Sequence, residues 1–376
     1  MNKLAGTSSR EVFVSWSTLA KLFAAAIAIW AAVRLWMPVQ LFLLSILLAI
    51  ALSPVVDRLE KWRLGRGQAV ALIALAIITA VAAFGFFVVP PLTQQVSDFL
   101  KNLPQLRRSL SQGLERGGLG SRIVLPLLDL PRSPEFDTWI AKPLVWGPAA
   151  IEAVVGLLVV VVLGLYLLLD GKKSVAWFLA YVPRAHRGKM SDMVPEMFSV
   201  LQAYSTGQII TSALFTLFSF GVLTVFRVPA ALPLALLAGL CDVIPVAGIL
   251  LATLAATLCA LTVSPTLGAI VLALYVGYHL FETYVLVPRL YGNRLKLSTL
   301  SVLLAILAGG TLGGVIGAIL ALPLVAAYPV FEKYWMDEYL HPDVVEDHSA
   351  LRDASETRES EAVVDAVLQG QSNPAG

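Results

Sequence analysis

Three ionisable side chains stand inside long apolar stretches of this sequence: Asp242, His279 and Glu282. An ionisable group in a membrane-spanning helix costs at least about 2.5–3.5 kcal/mol on insertion scales, so each is a candidate for function. Asp242 opens the stretch Asp242-Val243-Ile244-Pro245-Val246-Ala247-Gly248, in which Pro245 and Gly248 tolerate broken helical hydrogen bonding. Its carboxylate suits two roles: binding a cation or proton at the break, or capping the N-terminus of the half-helix that follows. His279 and Glu282 are three residues apart and share a helical face. That pair fits a proton relay, while a structural ion pair of Glu282 with Arg289 or Arg294 fits the same spacing. Tyr204, Thr206, Gly207 and Gln208 bring polar groups to the start of another apolar run. Gln208 offers hydrogen bonds to a polar solute or to a neighbouring helix.

Known enzyme signatures are missing. There is no HExxH, no GxxxxGK followed by Ser or Thr, and no second intramembrane aspartate for a protease dyad. A single intramembrane histidine excludes paired haem ligation within the bilayer. Neither catalysis, a cofactor nor a metal is therefore expected. The net charge of +2 is too small to suggest a nucleic-acid partner. Cys241 and Cys259 both lie in apolar sequence and read as small core residues rather than a disulfide or metal pair.

The elements that must carry these residues are transmembrane helices. The chain is 58% hydrophobic and 14% charged, with a mean hydropathy of +0.80, against about 45–50% apolar and about 25% charged in a soluble domain. Apolar runs cover 19–37, 39–54, 69–89, 147–169, 209–226, 229–263, 266–287 and 300–330. Arg34-Leu35-Trp36-Met37-Pro38 after the first run lacks a small-residue cleavage pattern, so that run reads as retained.

Short basic loops set the orientation. Arg58, Lys61, Arg63 and Arg66 mark one cytoplasmic loop, Lys172, Lys173, Arg184, Arg187 and Lys189 a second, and Arg289, Arg294 and Lys296 a third. By parity the segment around 92–146 lies outside. Its Val96, Phe99, Leu100, Leu103, Leu106 and Leu110 recur at helical spacing, as in an amphipathic helix that lies on the membrane or packs on a neighbouring subunit. Trp177, Phe178, Tyr181 and Val182 among basic residues predict a cytoplasmic interfacial helix with an aromatic belt. After Leu340 the sequence turns acidic and polar, predicting a disordered cytoplasmic tail.

Two runs are too long for one crossing. The run 229–263 must enter from outside and return, with Asp242, Pro245 and Gly248 at its middle. The run 300–330 must enter from the cytoplasm and return, with Gly309-Gly310-Thr311-Leu312-Gly313-Gly314 at its middle. The expected fold is thus an all-α polytopic transmembrane protein with two re-entrant helical hairpins in an inverted repeat, an arrangement that surrounds a midplane site in secondary transporters. The expected boundaries are transmembrane helices over 1–91, an extracytoplasmic amphipathic segment over 92–146, and a transmembrane and an interfacial helix over 147–200. A transport core with both hairpins follows over 201–339, then the tail over 340–376.

The order of motifs resembles the autoinducer-2 exporter (AI-2E, PerM-like) family from about Leu44 to Tyr334. The resemblance is carried by Ser53-Pro54-Val55-Val56-Asp57-Arg58-Leu59-Glu60 with Arg66-Gly67, by Leu165-Tyr166-Leu167-Leu168-Leu169-Asp170-Gly171, and by Tyr204 with Gly207-Gln208. More specific are Asp242 to Gly248, Glu282 with Val287-Pro288-Arg289-Leu290-Tyr291-Gly292, and the glycine cluster ending in Leu322-Pro323-Leu324. His279 stands where glutamine is more usual, and Ile249 where proline is common. The resemblance implies export of a small signalling solute or, in some members, exchange of Na+ or Li+ for protons, by a homo-oligomer. On this reading Asp242, Pro245, Gly248, Gln208, His279 and Glu282 bind substrate or ion, and Gly309, Gly310, Gly313 and Gly314 form a gating hairpin. The protein would sit in the inner cell membrane with both termini cytoplasmic, in contact with lipid and with a small solute, H+ or Na+. The competing reading is a non-transporting membrane scaffold that recruits partners through its outer segment and acidic tail.

Overall fold

The architecture is that of a computed structural model, which describes residues 16–95, 97–98, 143–291 and 299–336. The amphipathic stretch from Val96 to Leu110 and the acidic tail fall outside the described residues, apart from 97–98.

The described residues are helical except at short turns. Its elements are α1 (Trp16–Lys61), α2 (Arg66–Phe87), α3 (Pro143–Tyr181), α4 (Arg184–Val225), α5 (Ala231–Cys241), α6 (Ala247–Val263) and α7 (Pro265–Phe281). A π-helical turn (Glu282–Leu286), α8 (Val287–Tyr291), α9 (Thr299–Phe331) and a second π-helical turn (Glu332–Met336) complete the order. Among the described residues, six helices are long and apolar enough to cross a membrane. The all-α polytopic expectation holds.

The first two apolar runs differ from expectation in being continuous. Pro38 lies between them, yet α1 runs through it for 46 residues. A proline removes one helical hydrogen bond, but no glycine or polar cluster accompanies it to make a turn. The helix is roughly 69 Å long at ~1.5 Å per residue, more than twice a hydrocarbon thickness of ~30 Å.

Two cores hold the bundle. Ala49 and Val56 of α1, Ala69, Val70 and Ile73 of α2 and Leu168 of α3 form one. There Arg66 donates from Nε and Nη2 to the Leu168 carbonyl at 2.9 and 2.7 Å, just before α3 leaves helical geometry at Asp170 (φ −113°, ψ 17°). The second core gathers α4, α5, α6 and α7 around Phe215, Val271, Tyr275 and Tyr278. Tyr278 stacks on Phe218 at 4.3 Å and on Phe215 at 5.1 Å between ring centroids. The Ser219 and Tyr275 hydroxyls hydrogen-bond each other, so these polar atoms are paired inside the apolar core. The outer surface is apolar instead of charged, with Phe23, Val33, Leu217, Leu250 and Leu307 all exposed. Lipid can cover such a surface and water cannot.

Both overlong runs double back. Between α5 and α6 the chain reverses over Asp242 to Val246. Gly248 packs so tightly there that a Cβ on it would lie 1.8 Å from the Cys241 carbonyl oxygen. In α9 the reversal sits at Gly314 (φ 57°, ψ −139°), in backbone space that essentially only glycine occupies. Gly309 and Gly317 would be roughly 12 Å apart along a straight helix. A Cβ on Gly309 would in fact lie 2.4 Å from the Gly317 carbonyl oxygen, and one on Gly317 2.0 Å from that of Gly309. The two arms of α9 therefore touch backbone to backbone. The tip of α9 rests on α1, where Trp36 Nε1 donates to the Leu312 carbonyl at 2.6 Å. The far end of α9 is tied to α4, since Glu196 accepts from Lys333 Nζ at 2.9 Å and from Tyr334 Oη at 3.0 Å.

Overpacking against backbone cannot be relieved by a rotamer change. Gly309→Ala and Gly317→Ala should each lower stability by about 1–3 kcal/mol. Gly310→Ala, whose Cβ position has nothing within 4 Å, should leave it unchanged. Melting of the three purified variants in detergent, followed by fluorescence-detected size exclusion, checks this; equal midpoints would contradict the close approach of the arms.

Candidate functional site

A cavity of about 510 Å³ opens where α4, the tip between α5 and α6, the start of the first π-helical turn and the two arms of α9 meet. Tyr204, Gln208 and Thr211 face it from α4. Asp242, Ile244 and Pro245 face it from the tip, His279, Glu282 and Thr283 from α7 and its π-helical turn, and Val302, Ile306 and Leu322 from α9. Of the residues the sequence singles out, Gln208, Asp242, Pro245, His279 and Glu282 thus come together.

Gly248 and the glycines of α9 are not among the residues lining this cavity. Gly248 makes the first reversal possible, and Gly309 lets the arms of α9 touch. Gly313 packs on Gln40 of α1: a Cβ there would lie 2.2 Å from Gln40 Nε2.

Close helix packing sets Asp242. A Cβ on Gly239 would lie 1.8 Å from Thr216 Oγ1 and 3.0 Å from the Ser212 carbonyl oxygen, so α5 presses directly on α4. This brings Ser212 Oγ within 2.8 Å of Asp242 Oδ2, to which it donates. Gln208 Nε2 donates to the same carboxylate oxygen at 3.2 Å and to the Asp242 carbonyl at 3.1 Å. Asp242 is not the N-cap of the following helix. It is the C-cap of α5, and Val246 precedes α6 at φ 62°, a strained conformation for a β-branched residue. A carboxylate at a helix C-terminus meets the negative end of the helix dipole. That placement disfavours the anion unless donors, a cation or a proton compensate it. Ser212 and Gln208 supply the donors.

Pro288 accounts for the geometry around Glu282. In a regular helix its ring would clash with the Tyr284 carbonyl and leave that oxygen without its partner. The helix widens instead, and the Val287 N–H donates to the Glu282 carbonyl, five residues back. π-Turns of this kind recur at functional sites. Here the wider turn aligns Glu282 with Val287 and Thr283 with Pro288, and all four line the cavity. Glu282 is buried, with Oε2 3.9 Å from His279 Nδ1. The two do share a face, at a distance too long for a hydrogen bond; Arg294 lies outside the described residues.

Ser212, Thr283 and the π-helical turn escape a reading of motifs alone. Ser212 carries a signal, since it lies one helical turn beyond Gln208 and shares its face. The turn carries one in Pro288, placed within an otherwise helical stretch.

The profile of AI-2E family transporters matches residues 19–337. The chain belongs to the AI-2E transporter family. Among its relatives, YrrI of Bacillus subtilis strain 168 is 29% identical over 164 residues, 44% of this chain and 46% of that protein. A protein of Mycobacterium tuberculosis strain CDC 1551 is 27% identical over 325 residues, 84% of this chain and 87% of that one. Both carry provisional names as transport proteins. TqsA of Escherichia coli K12, named an AI-2 transport protein, is 25% identical over 289 residues, 75% of this chain and 82% of its own. The AI-2E member described here is accordingly a multi-pass membrane protein of a transporter family.

Removing the Ser212 hydroxyl takes one donor from the Asp242 carboxylate. A hydrogen bond to a charged group contributes about 1.5–3 kcal/mol, so Ser212→Ala should loosen the tip and speed maleimide labelling of the neighbouring Cys241 roughly tenfold. Labelling rates in membranes, read by gel shift, check this. An unchanged rate would mean that Ser212 does not hold the tip.

Proposed function

We propose that this chain is a secondary transporter that moves a small solute or ion through the cavity between its two hairpins, with Asp242 or Glu282 as the coupling carboxylate. One observation carries the reading: among the described residues, two carboxylates, with neither Lys nor Arg, line the cavity where two reversing segments meet. In an apolar surround, such a site favours a cation or protons over an anion. Competition between H+ and Na+ or Li+ for the same carboxylates gives exchange. The hydroxyls of Tyr204, Thr211 and Thr283 with the amide of Gln208 equally suit a small polyhydroxylated solute, such as an autoinducer-2-like molecule, carried against protons. The name of TqsA favours that second cargo.

The topology belongs to the same proposal. Helix α5 has 11 residues, roughly 16 Å and about half of a ~30 Å hydrocarbon layer. This length favours a tip that stops near the midplane after entering from outside. The tip of α9 would then come from the cytoplasmic side, with the glycines at its reversal as the gate. The C-terminus lies in the cytoplasm of an inner-membrane homo-oligomer, while α1, one continuous helix that ends at a cytoplasmic Lys61, puts its Trp16 end on the outside. The segment 92–146 lies outside, 147–200 supplies a spanning and an interfacial helix, and 340–376 forms a cytoplasmic tail.

Transport further requires two accessible states of one site, because tight binding in a single state moves nothing. Asp242→Asn and Glu282→Gln keep the shape of each side chain and remove its charge. In proteoliposomes, at least one of them should abolish solute or Na+ flux driven by a proton gradient while protein folding, judged by size exclusion, is retained. Full flux in both variants would discard the carboxylate mechanism. Loss of function on deleting 340–376, with flux-neutral hairpin variants, would favour the scaffold reading.

A further inference from the structure

We infer that the end of α3 beyond its break is a docking surface for anionic phospholipid headgroups of the cytoplasmic leaflet. The apolar crossing formed by α3 ends at Gly171, immediately after the non-helical backbone of Asp170. Trp177, Phe178 and Tyr181 follow, 58%, 55% and 73% exposed. They form one mutually packed group, with Trp177 edge-on to Phe178 at 5.2 Å and to Tyr181 at 4.8 Å. Large rings that pack on one another yet stay bare on their outer faces need an apolar neighbour on one side and water on the other. A membrane interface provides both.

Chain length places them there. From Gly171 to Trp177 is roughly 9 Å at ~1.5 Å per residue, while the headgroup layer adds roughly 5–8 Å to each face of the hydrocarbon. The rings are therefore held near the headgroups by covalent continuity with the spanning helix, whatever angle the chain takes after Asp170.

Charge selects the lipid. Lys173 precedes the rings by one turn and is paired with Asp170 at 3.2 Å. Arg184 follows them and is exposed. Arg187 fixes the turn between the two, donating from Nε to the Val182 carbonyl and from Nη2 to the Ala180 carbonyl, both at 2.9 Å. The rings are thus flanked by basic side chains, Lys173 on the helix before them and Arg184 just past a turn whose shape is set by hydrogen bonds. No acidic residue intervenes between Asp170 and Asp192. Phosphate-bearing anionic headgroups match this surface; a zwitterionic headgroup matches the rings alone.

The full chain in nanodiscs tests this. Acyl-brominated phosphatidylglycerol or phosphatidylcholine, at equal mole fraction in an otherwise unlabelled bilayer, serves as quencher of tryptophan fluorescence. The contribution of Trp177 is the difference between the native chain and Trp177→Phe. Trp177 should be quenched more strongly by the phosphatidylglycerol. The double variant Lys173→Gln with Arg184→Gln should lower the preference between the two lipids by roughly fivefold for each charge removed. Equal quenching by both lipids in the native chain would overturn the proposal, as would a preference that survives the double variant. Absence of any Trp177 quenching would overturn it too, and would assign the surface to protein, either a second copy or the acidic segment 337–376.

Discussion

The carboxylate of Asp242 accepts hydrogen bonds from Ser212 and Gln208, and through them α4 grips the point at which the chain turns back between α5 and α6. Much of the site depends on this grip. An interrupted helix leaves backbone groups without intrahelical partners, and a hydrocarbon surround supplies none, so the interruption survives only where protein satisfies it. The Gln208 amide does so directly by donating to the Asp242 carbonyl as well. The same contact fixes the depth of the tip against α4 and hence the floor of the cavity. Gly239 allows it, because any larger residue would force α5 away from Thr216.

The two hairpins use different devices for one task. The first reverses through a proline-containing loop with Val246 in left-handed space, and its ends are held by polar side chains. The second reverses at one glycine, and backbone contact between Gly309 and Gly317 stands in for side-chain packing. Polar grip and bare backbone contact respond differently to change. Polar grip is released by protonating or substituting one group, whereas backbone contact holds until the arms separate as a whole. A cavity with one wall of each kind has one side adjustable by its occupant and one side that moves as a body, anchored at Trp36 near its tip and at Glu196 near its end.

Much of this was legible in the residues. Hydropathy gave the spanning helices because lipid selects for long apolar runs and little else satisfies them. The excess length of 229–263 and 300–330, with Pro245 and the glycine cluster at their centres, marked both reversals, and rare ionisable groups marked Asp242, His279 and Glu282. Continuity of α1 was not legible. A lone proline between apolar runs is compatible with a turn or with a kinked helix. Nor was the division of labour among glycines, since Gly248, Gly309 and Gly313 look alike in sequence and act on different neighbours: a carbonyl of the same turn, the opposite arm and Gln40. Ser212 stayed hidden because a serine in a membrane helix is common and its partner lies thirty residues on.

The widened turn from Glu282 to Leu286 amounts to one extra residue inserted in a regular helix, kept in place by Pro288. Its length and that proline are therefore a single inherited unit. A descendant that lost the proline would have no need of the extra residue. One that lost the residue alone would swing Glu282 about 100° around the helix axis relative to everything after it. A one-residue gap at this place is therefore a change in which way the carboxylate faces, and not only a change in length.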